Sequence, residues 1–329
     1  MATYLVTGVA GFIGSRVASL LLDAGHQVIG VDNLNDAYDV RMKEYRLSLL
    51  DGRQGFLFNK VDISTKEALW NALSRAVTQL GKIDAVINLA ARAGVRASVE
   101  NPWVYIDTNV TGTLNLLEYC KREEIGKFVL ASTSSIYGAG APLPTPETAS
   151  SDKPLQAYAA SKKGAEALAY AYHYLNGLDV SVVRYFTVYG PAGRPDMVMF
   201  RFIQWINEGK TLRVNGDGNQ SRGFTYIDDI AAGTILALKP VGYEIVNLGG
   251  HETITINELI YLMEKMIGRD ASVEHYPRHP ADMTANQANI KKAGILLGWE
   301  PKVSLAEGIS RTINWYAENR DWVKGIDTG

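Results

Sequence analysis

Cysteine is nearly absent. Cys120 stands alone among 329 residues, which excludes an internal disulfide and a cysteine metal cluster. Its place in the apolar run Leu116-Leu117-Glu118-Tyr119-Cys120 marks it as core. No metal site is expected. Long apolar runs are missing too: none approaches the ~18 residues of a membrane-spanning helix. The opening Met1-Ala-Thr-Tyr-Leu-Val-Thr7 enters a strand pattern without a basic region, an apolar signal core or a small-residue cleavage site. Runs of one charge sign are absent, with Lys+Arg 33 against Asp+Glu 35 and a net charge of -2, so neither a nucleic-acid nor a lipid surface is indicated. There is no internal repeat and no low-complexity segment. These absences lead to the expectation of a cytoplasmic protein with a small-molecule partner, no nucleic acid and no membrane.

What the chain does have is alternation. Apolar segments of strand length, at 4–9, 27–32, 56–62, 85–90, 127–132 and 180–186, are separated by amphipathic segments of helix length. That pattern predicts an α/β fold, a doubly wound parallel sheet of Rossmann type with helices on both faces. Helices are expected from Phe12, after a Ser64 cap, and from Asn101-Pro102, with Asn as cap and Pro at the first helical position. At 329 residues the chain exceeds a usual single core. Beyond about Gly190 the pattern loosens into loops such as Asn215-Gly-Asp-Gly-Asn219. The expected division is a dinucleotide-binding domain over 1–190 and a smaller α/β substrate domain over 191–329. A helix over 228–238 leads to a strand at 244–248, so the chain is expected to return to the first domain around 224–250.

The first strand runs into Gly8-Val-Ala-Gly11-Phe-Ile-Gly14 and then a helix. Gly8 permits the tight turn, Gly11 lets a pyrophosphate approach the unpaired N–H groups of the helix start, and Gly14 allows close packing. Asp32, at the end of the second strand, is placed to accept the adenosine ribose hydroxyls, and its charge disfavours a 2′-phosphate. NAD is therefore expected over NADP. Asp62 and Ile63, and Leu89, Ala90 and Ala91, fall where adenine and the middle of the cofactor would lie, although ordinary strand ends would look the same. Phe12, Ile13, Asn33, Asn35 and Tyr185 complete the expected cofactor set.

Tyr158-Ala-Ala-Ser-Lys162 places a phenol and an ammonium on one helical face. Spacing alone is weak, since any residues four apart share a face, and Tyr261-Leu-Met-Glu-Lys265 has the same spacing in an ordinary amphipathic segment. Order supplies the context. Gly8-x-x-Gly-x-x-Gly14, Asn88-Leu-Ala-Ala91, Ala131-Ser-Thr-Ser-Ser135 and Tyr158-x-x-x-Lys162 follow one another, and in this the chain resembles the extended short-chain dehydrogenase/reductase family over essentially its whole length.

The resemblance implies that a Ser/Thr, a Tyr and a Lys surround the nicotinamide. Here these are Thr133, Tyr158 and Lys162, with Thr133 selected by its distance from Tyr137-Gly138 and Ser134 as the alternative. A phenol near pKa 10 is a poor base at neutral pH, and a nearby ammonium together with an oxidised nicotinamide would favour the phenolate. Lys162 would also bond the nicotinamide ribose, and Thr133 would hold the reacting oxygen.

Within the family, Arg184-Tyr-Phe-Thr-Val-Tyr-Gly-Pro-Ala-Gly-Arg-Pro-Asp-Met197 resembles the UDP-glucuronate 4-epimerase group, which carries an arginine before Pro-Asp-Met. That resemblance implies a UDP-glucuronate substrate whose carboxylate is gripped by Arg194, through planar, charge-assisted recognition, with Ser134, Ser135 and Thr187. It further implies diphosphate contacts from Arg222 and Arg96, uridine-side contacts from Arg278 and Asp282, a tightly held NAD, and a homodimer through helices near 101–121 and 155–175. The chain departs from the group's pattern at Ala281 and at Asn286-Gln-Ala-Asn289. Alternatives that share the chemistry are a UDP-glucuronate decarboxylase and a UDP-glucose/UDP-galactose 4-epimerase. A dinucleotide-sensing protein without activity is the alternative from another class.

Overall fold

A computed structural model describes residues 1–277 and 285–329. Seven strands form a single parallel sheet: β1 (Thr3–Thr7), β2 (Gln27–Asp32), β3 (Phe56–Lys60), β4 (Ala85–Asn88), β5 (Lys127–Thr133), β6 (Asp179–Tyr185) and, much later in the chain, Tyr243–Leu248. Across the sheet the first six run 3-2-1-4-5-6, and the late strand lies beyond β6. This order reverses between β1 and β4, which opens a crevice at their carboxyl ends. Strands such as Lys127–Thr133 are buried throughout because helices cover both faces.

Helices α1 (Phe12–Asp23), α2 (Arg41–Ser48) and α3 (Lys66–Leu80) follow the first three strands. Between β4 and β5 come the short α4 (Ala97–Glu100) and α5 (Trp103–Tyr105), a π-helical turn over Ile106–Thr111, and α6 (Gly112–Arg122). The twenty-residue α7 (Ala157–Asn176) connects β5 to β6 and ends on Gly177 in the left-handed conformation, the usual C-terminal stop. Leu69 and Leu73 of α3, Leu116 and Leu117 of α6, and Ala165 and Ala169 of α7 share one core with Leu5, Val86 and Phe128 of the sheet. On the opposite face Val17 and Leu21 of α1 join Val6, Ile87 and Val129.

The remaining elements are β7 (Thr187–Tyr189), α8 (Val198–Glu208), β8 (Leu212–Asn215), β9 (Ser221–Tyr226), α9 (Ile227–Leu236), β10 (the late strand Tyr243–Leu248), β11 (Glu252–Thr255), α10 (Ile256–Ile267), β12 (Val273–Tyr276), α11 (Lys291–Leu297), α12 (Leu305–Glu318) and α13 (Arg320–Val323). β11, β9 and β7 form a small sheet and β12 pairs with β8. These elements enclose a separate core that includes Phe200, Ile203, Phe224, Leu259 and Ile309.

Local signals misplaced some ends. β3 stops at Lys60, so Asp62 and Ile63 lie in the loop beyond it. The helix after β3 begins with Thr65 as its N-cap, while Ser64 donates its hydroxyl to Asp62 at 2.6 Å. Asn101 closes α4, and the next turn starts after Pro102 with no side-chain cap. α9 begins one residue before Asp228 and ends at Leu236. Among the described residues, no helix is long and apolar enough to cross a membrane.

Candidate active site

The turn after β1 is built around bare backbone. Gly8 has φ +68°, and a Cβ there would lie 2.7 Å from the Ala90 backbone nitrogen. A Cβ on Gly14 would lie 2.1 Å from the Gly8 carbonyl oxygen, so α1 can start this close to the turn only with glycine. Gly11 is the N-cap of α1 and supplies no side-chain bond. The first-turn N–H groups are thus left for an anion. Asp32 is buried, accepting from the Ala10 amide at 3.1 Å and the Leu34 amide at 2.8 Å. Asp62 accepts from Asn33 and twice from Ser64. Burial pushes its carboxyl up, but these bonds outweigh burial and hold it below the ordinary carboxylate range.

Tyr158 and Lys162 stand on the first turns of α7, facing the end of β5. Lys162 is 3% exposed and donates to the Ala131 carbonyl at 2.8 Å. Burial lowers its pKa to about 8, although Glu166 one turn further along opposes the shift. Thr133 Oγ1 donates to Ser135 Oγ at 3.3 Å and accepts from the Ser135 amide at 3.2 Å, beside the Tyr158 phenol. Burial nevertheless raises the phenol above its ordinary pKa, with Thr133 and the Arg194 charge pulling the other way. The protein alone therefore keeps Tyr158 as a phenol. Ser161 fixes this helical turn by donating to the Tyr158 carbonyl at 2.8 Å and accepting from Asn109 of the π-helical turn at 2.9 Å.

Arg194 approaches the phenol from the loop after β7. Its Nε and Nη2 bind both carboxylate oxygens of Asp196 at 3.0 and 2.5 Å. With the Asn215 amide oxygen facing it, Arg96 donates to Asn215 through both Nη atoms at 3.2 and 2.6 Å. Arg222 donates to the Ser221 carbonyl at 2.8 Å. The Tyr185 hydroxyl is turned away, bonded to Thr234 at 2.8 Å, so only its ring and backbone face the cleft.

Every candidate among the described residues lines one cleft of about 760 Å³ between the large sheet and the second core. It takes in the glycine turn, Asp32, Asn33, Asn35, Asp62, Ile63, Leu89, Ala90, Ala91, Thr133, Ser134, Ser135, Tyr158, Lys162, Tyr185 and Thr187, with Arg96, Arg194 and Arg222. Arg278 and Asp282 lie outside the described residues. The similarly spaced Tyr261 and Lys265 sit on the outer face of α10, Tyr261 61% exposed with the ammonium 5.3 Å from its ring centroid. That is a surface cation–π contact.

Among the polar residues of the cleft that sequence reasoning missed are Lys43, Asp196 and Asn286. Lys43 is buried and donates to Asn35 at 2.8 Å. Asp196 engages Arg194, and its position two residues later was the available signal. Asn286 donates to Ser134 at 3.2 Å across 152 residues of chain, and no local pattern announces it.

The model of the family described as "NAD dependent epimerase/dehydratase" matches residues 4–249. The chain belongs to this family. A UDP-glucuronate 4-epimerase of Thermodesulfobacterium geofontis (strain OPF15) is 57% identical over 327 residues, 99% of each chain. Among solved structures, UDP-glucuronic acid 4-epimerase from Bacillus cereus in complex with UDP-glucuronic acid and NAD superposes with a TM-score of 0.86 at 35% identity, covering 96% of this chain and 99% of that one. UDP-glucose 4-epimerase of Thermotoga maritima with UDP-glucose gives the same TM-score at 31% identity, covering 97% and 99%. This family member thus shares its fold with relatives on both charged and neutral sugars. What it acts on must be argued from the cleft.

Proposed function

We infer that this chain catalyses NAD-dependent epimerisation of UDP-glucuronate at C4, giving UDP-galacturonate without decarboxylation. The observation that carries this reading is the Arg194 guanidinium, which lines the same cleft as Tyr158, in a chain 57% identical to a UDP-glucuronate 4-epimerase. A neutral sugar needs no cation facing C6.

The residues present fit NAD. The uncapped start of α1 suits a pyrophosphate, the contact at Gly8 keeps the floor clear of side chains, and the buried Asp32 carboxylate suits ribose hydroxyls. Asn33, Asn35, Asp62 and Ile63 border the adenosine end, and Leu89, Ala90 and Ala91 the middle. When bound, NAD supplies reversible hydride acceptance and, as NAD+, a positive charge beside the phenol. That charge is what the burial-raised Tyr158 requires to act as a base. Tyr158 then takes the proton of the sugar 4-hydroxyl, Thr133 holds that oxygen by a hydrogen bond, and Lys162 keeps a positive charge beneath the pair. With the ring turned in the cleft, the hydride would return to the opposite face of C4 and Tyr158 would give the proton back to the 4-oxygen, with no net redox change.

The 4-keto sugar is a β-keto acid, which loses carbon dioxide when its carboxylate bond aligns with the carbonyl π system. Arg194, with Ser134, Ser135 and Thr187, holds the carboxylate out of that alignment. Arg96 and Arg222 serve the diphosphate. On this reading residues 1–190 together with 224–250 hold the cofactor, and the rest of 191–329 holds the nucleotide sugar. A homodimer is supported by side chains left uncovered on neighbouring elements: Trp103 (75% exposed), Ile106 and Leu114 before and on α6, and Tyr170, Tyr174 and Leu175 on α7. A reducing cytoplasm suits the buried, unpaired Cys120.

The test is proton NMR of the purified protein with UDP-glucuronate and no added NAD. UDP-galacturonate as the one product is expected. UDP-xylose or a 4-keto pentose would reassign the chain as a decarboxylase, and turnover of UDP-glucose alone would reassign it to neutral sugars.

A further inference from the structure

Of the two cleft amides with a buried, unpaired oxygen among the described residues, Asn286 and Gln156, Asn286 is the one that also bonds the run containing Thr133 and Ser134. Its Nδ2 donates to Ser134 Oγ at 3.2 Å, whereas its Oδ1 is buried and has no partner among the described residues. A buried acceptor left unmade is costly, so such an atom on a residue that lines the cleft points to a ligand donor. The orientation matters: with the amide turned over, its oxygen would take up the Ser134 proton.

The segment carrying Asn286 is held firmly. The Asn286 carbonyl accepts from Gly223 at 2.8 Å, and the Gln287 carbonyl accepts from Thr145 at 2.8 Å. Ala288 donates to Gly250 at 2.9 Å and Asn289 to Thr145 at 2.9 Å. The amide is therefore delivered to one place, beside the run that contains Thr133 and Ser134.

We propose that Asn286 is a specificity residue for the sugar: its Nδ2 orients Ser134 so that the serine hydroxyl donates to the substrate carboxylate, and its Oδ1 accepts a sugar hydroxyl. This rests on the uronate reading above. Ser134 Oγ has one proton. When Oγ accepts from Asn286, that proton is free to point at an anion. Neutrality matters as much as shape. An aspartate of the same size would accept the Ser134 proton, turning it away from the cleft, and would set a second negative charge against the uronate. A neutral sugar would lose nothing, because the remaining carboxylate oxygen still accepts its hydroxyl.

The experiment is calorimetric titration of the NAD-loaded protein in a Tyr158→Phe background, which prevents turnover, with UDP-glucuronate, UDP-glucose and UDP. Asn286→Asp is expected to weaken UDP-glucuronate by about 100-fold, within the several kcal/mol that opposed like charges cost, and UDP-glucose by less than about threefold. Asn286→Ala removes both Oδ1 and the Nδ2 donor to Ser134 without adding charge and is expected to weaken both sugars by roughly tenfold, UDP-glucuronate the more because Ser134 is no longer oriented. UDP, which does not reach Ser134, should bind all three proteins equally and so reports a folded site. Equal losses for both sugars in Asn286→Asp, or no loss for UDP-glucuronate, would overturn the proposal while leaving the uronate reading in place. An unsubstituted Asn286 protein that does not prefer UDP-glucuronate over UDP-glucose would overturn that reading and this proposal with it.

Discussion

Replacing Lys162 by methionine should abolish turnover yet leave the cofactor-free chain no less stable at neutral pH. Lys162 is 3% exposed, and burial lowers its pKa from 10.5 to about 8. At about 1.4 kcal/mol per unit, holding the ammonium charged in the fold costs roughly 3 kcal/mol. Methionine removes that cost but leaves the Ala131 carbonyl without its 2.8 Å partner, a loss of about 1–3 kcal/mol. The variant should therefore be roughly 0–2 kcal/mol more stable at pH 7. The pH dependence carries the sign. Between pH 8 and about 10.5 the unfolded lysine keeps its proton while the folded one loses it, so the unfolded state binds more protons and the native lysine protein gains stability as pH rises. Relative to the methionine variant it should gain about 1.4 kcal/mol per pH unit above pH 8 and nothing below about pH 7. Urea unfolding of both proteins at pH 7.0, 8.5 and 9.5 reads this difference. A difference that stays constant with pH, or a lysine protein several kcal/mol the more stable at pH 7, would refute the reasoning.

Two further substitutions probe the ends of the cleft. Gly14→Ala forces a methyl group against the Gly8 carbonyl, 2.1 Å away and backbone on both sides, so the purified variant should carry no NAD when its nucleotide content is measured after denaturation; a full complement would show that the turn yields. Arg194→Ala should raise KM for UDP-glucuronate about 10–100-fold, as loss of a charge-assisted pair implies, and should produce decarboxylated sugar visible by NMR; unchanged kinetics with UDP-galacturonate alone would remove Arg194 from the carboxylate grip.

The opening of the fold was legible because its signals are local. The apolar run, the three glycines, the amphipathic helix and the acidic strand end all fall within Thr3–Asp32, and each reports on neighbours only a few residues away. Tyr158 and Lys162 were legible for the same reason, since one helical turn brings them together. Ends were less so: Ser64 reads as a cap but is drawn off by Asp62, and Asn101-Pro102 reads as a helix start although Asn101 closes the preceding turn. Partnerships across the fold were not legible at all. The contact of Asn286 with Ser134 depends on a segment pinned between Gly223, Thr145 and Gly250, whereas the pairing of Arg194 with Asp196, two residues on, had a local signal. The raised pKa of Tyr158 is likewise a property of enclosure, which composition does not express.

On the mechanism proposed above, Tyr158 and its neighbours invert C4 within a closed cycle that keeps the C4 hydrogen and the carboxylate. NMR of the reaction with UDP-glucuronate deuterated at C4, run in ordinary water, reads both at once. UDP-galacturonate with deuterium still at C4 and no release of carbon dioxide is the expected result. Protium at C4, or a five-carbon sugar product, would contradict it.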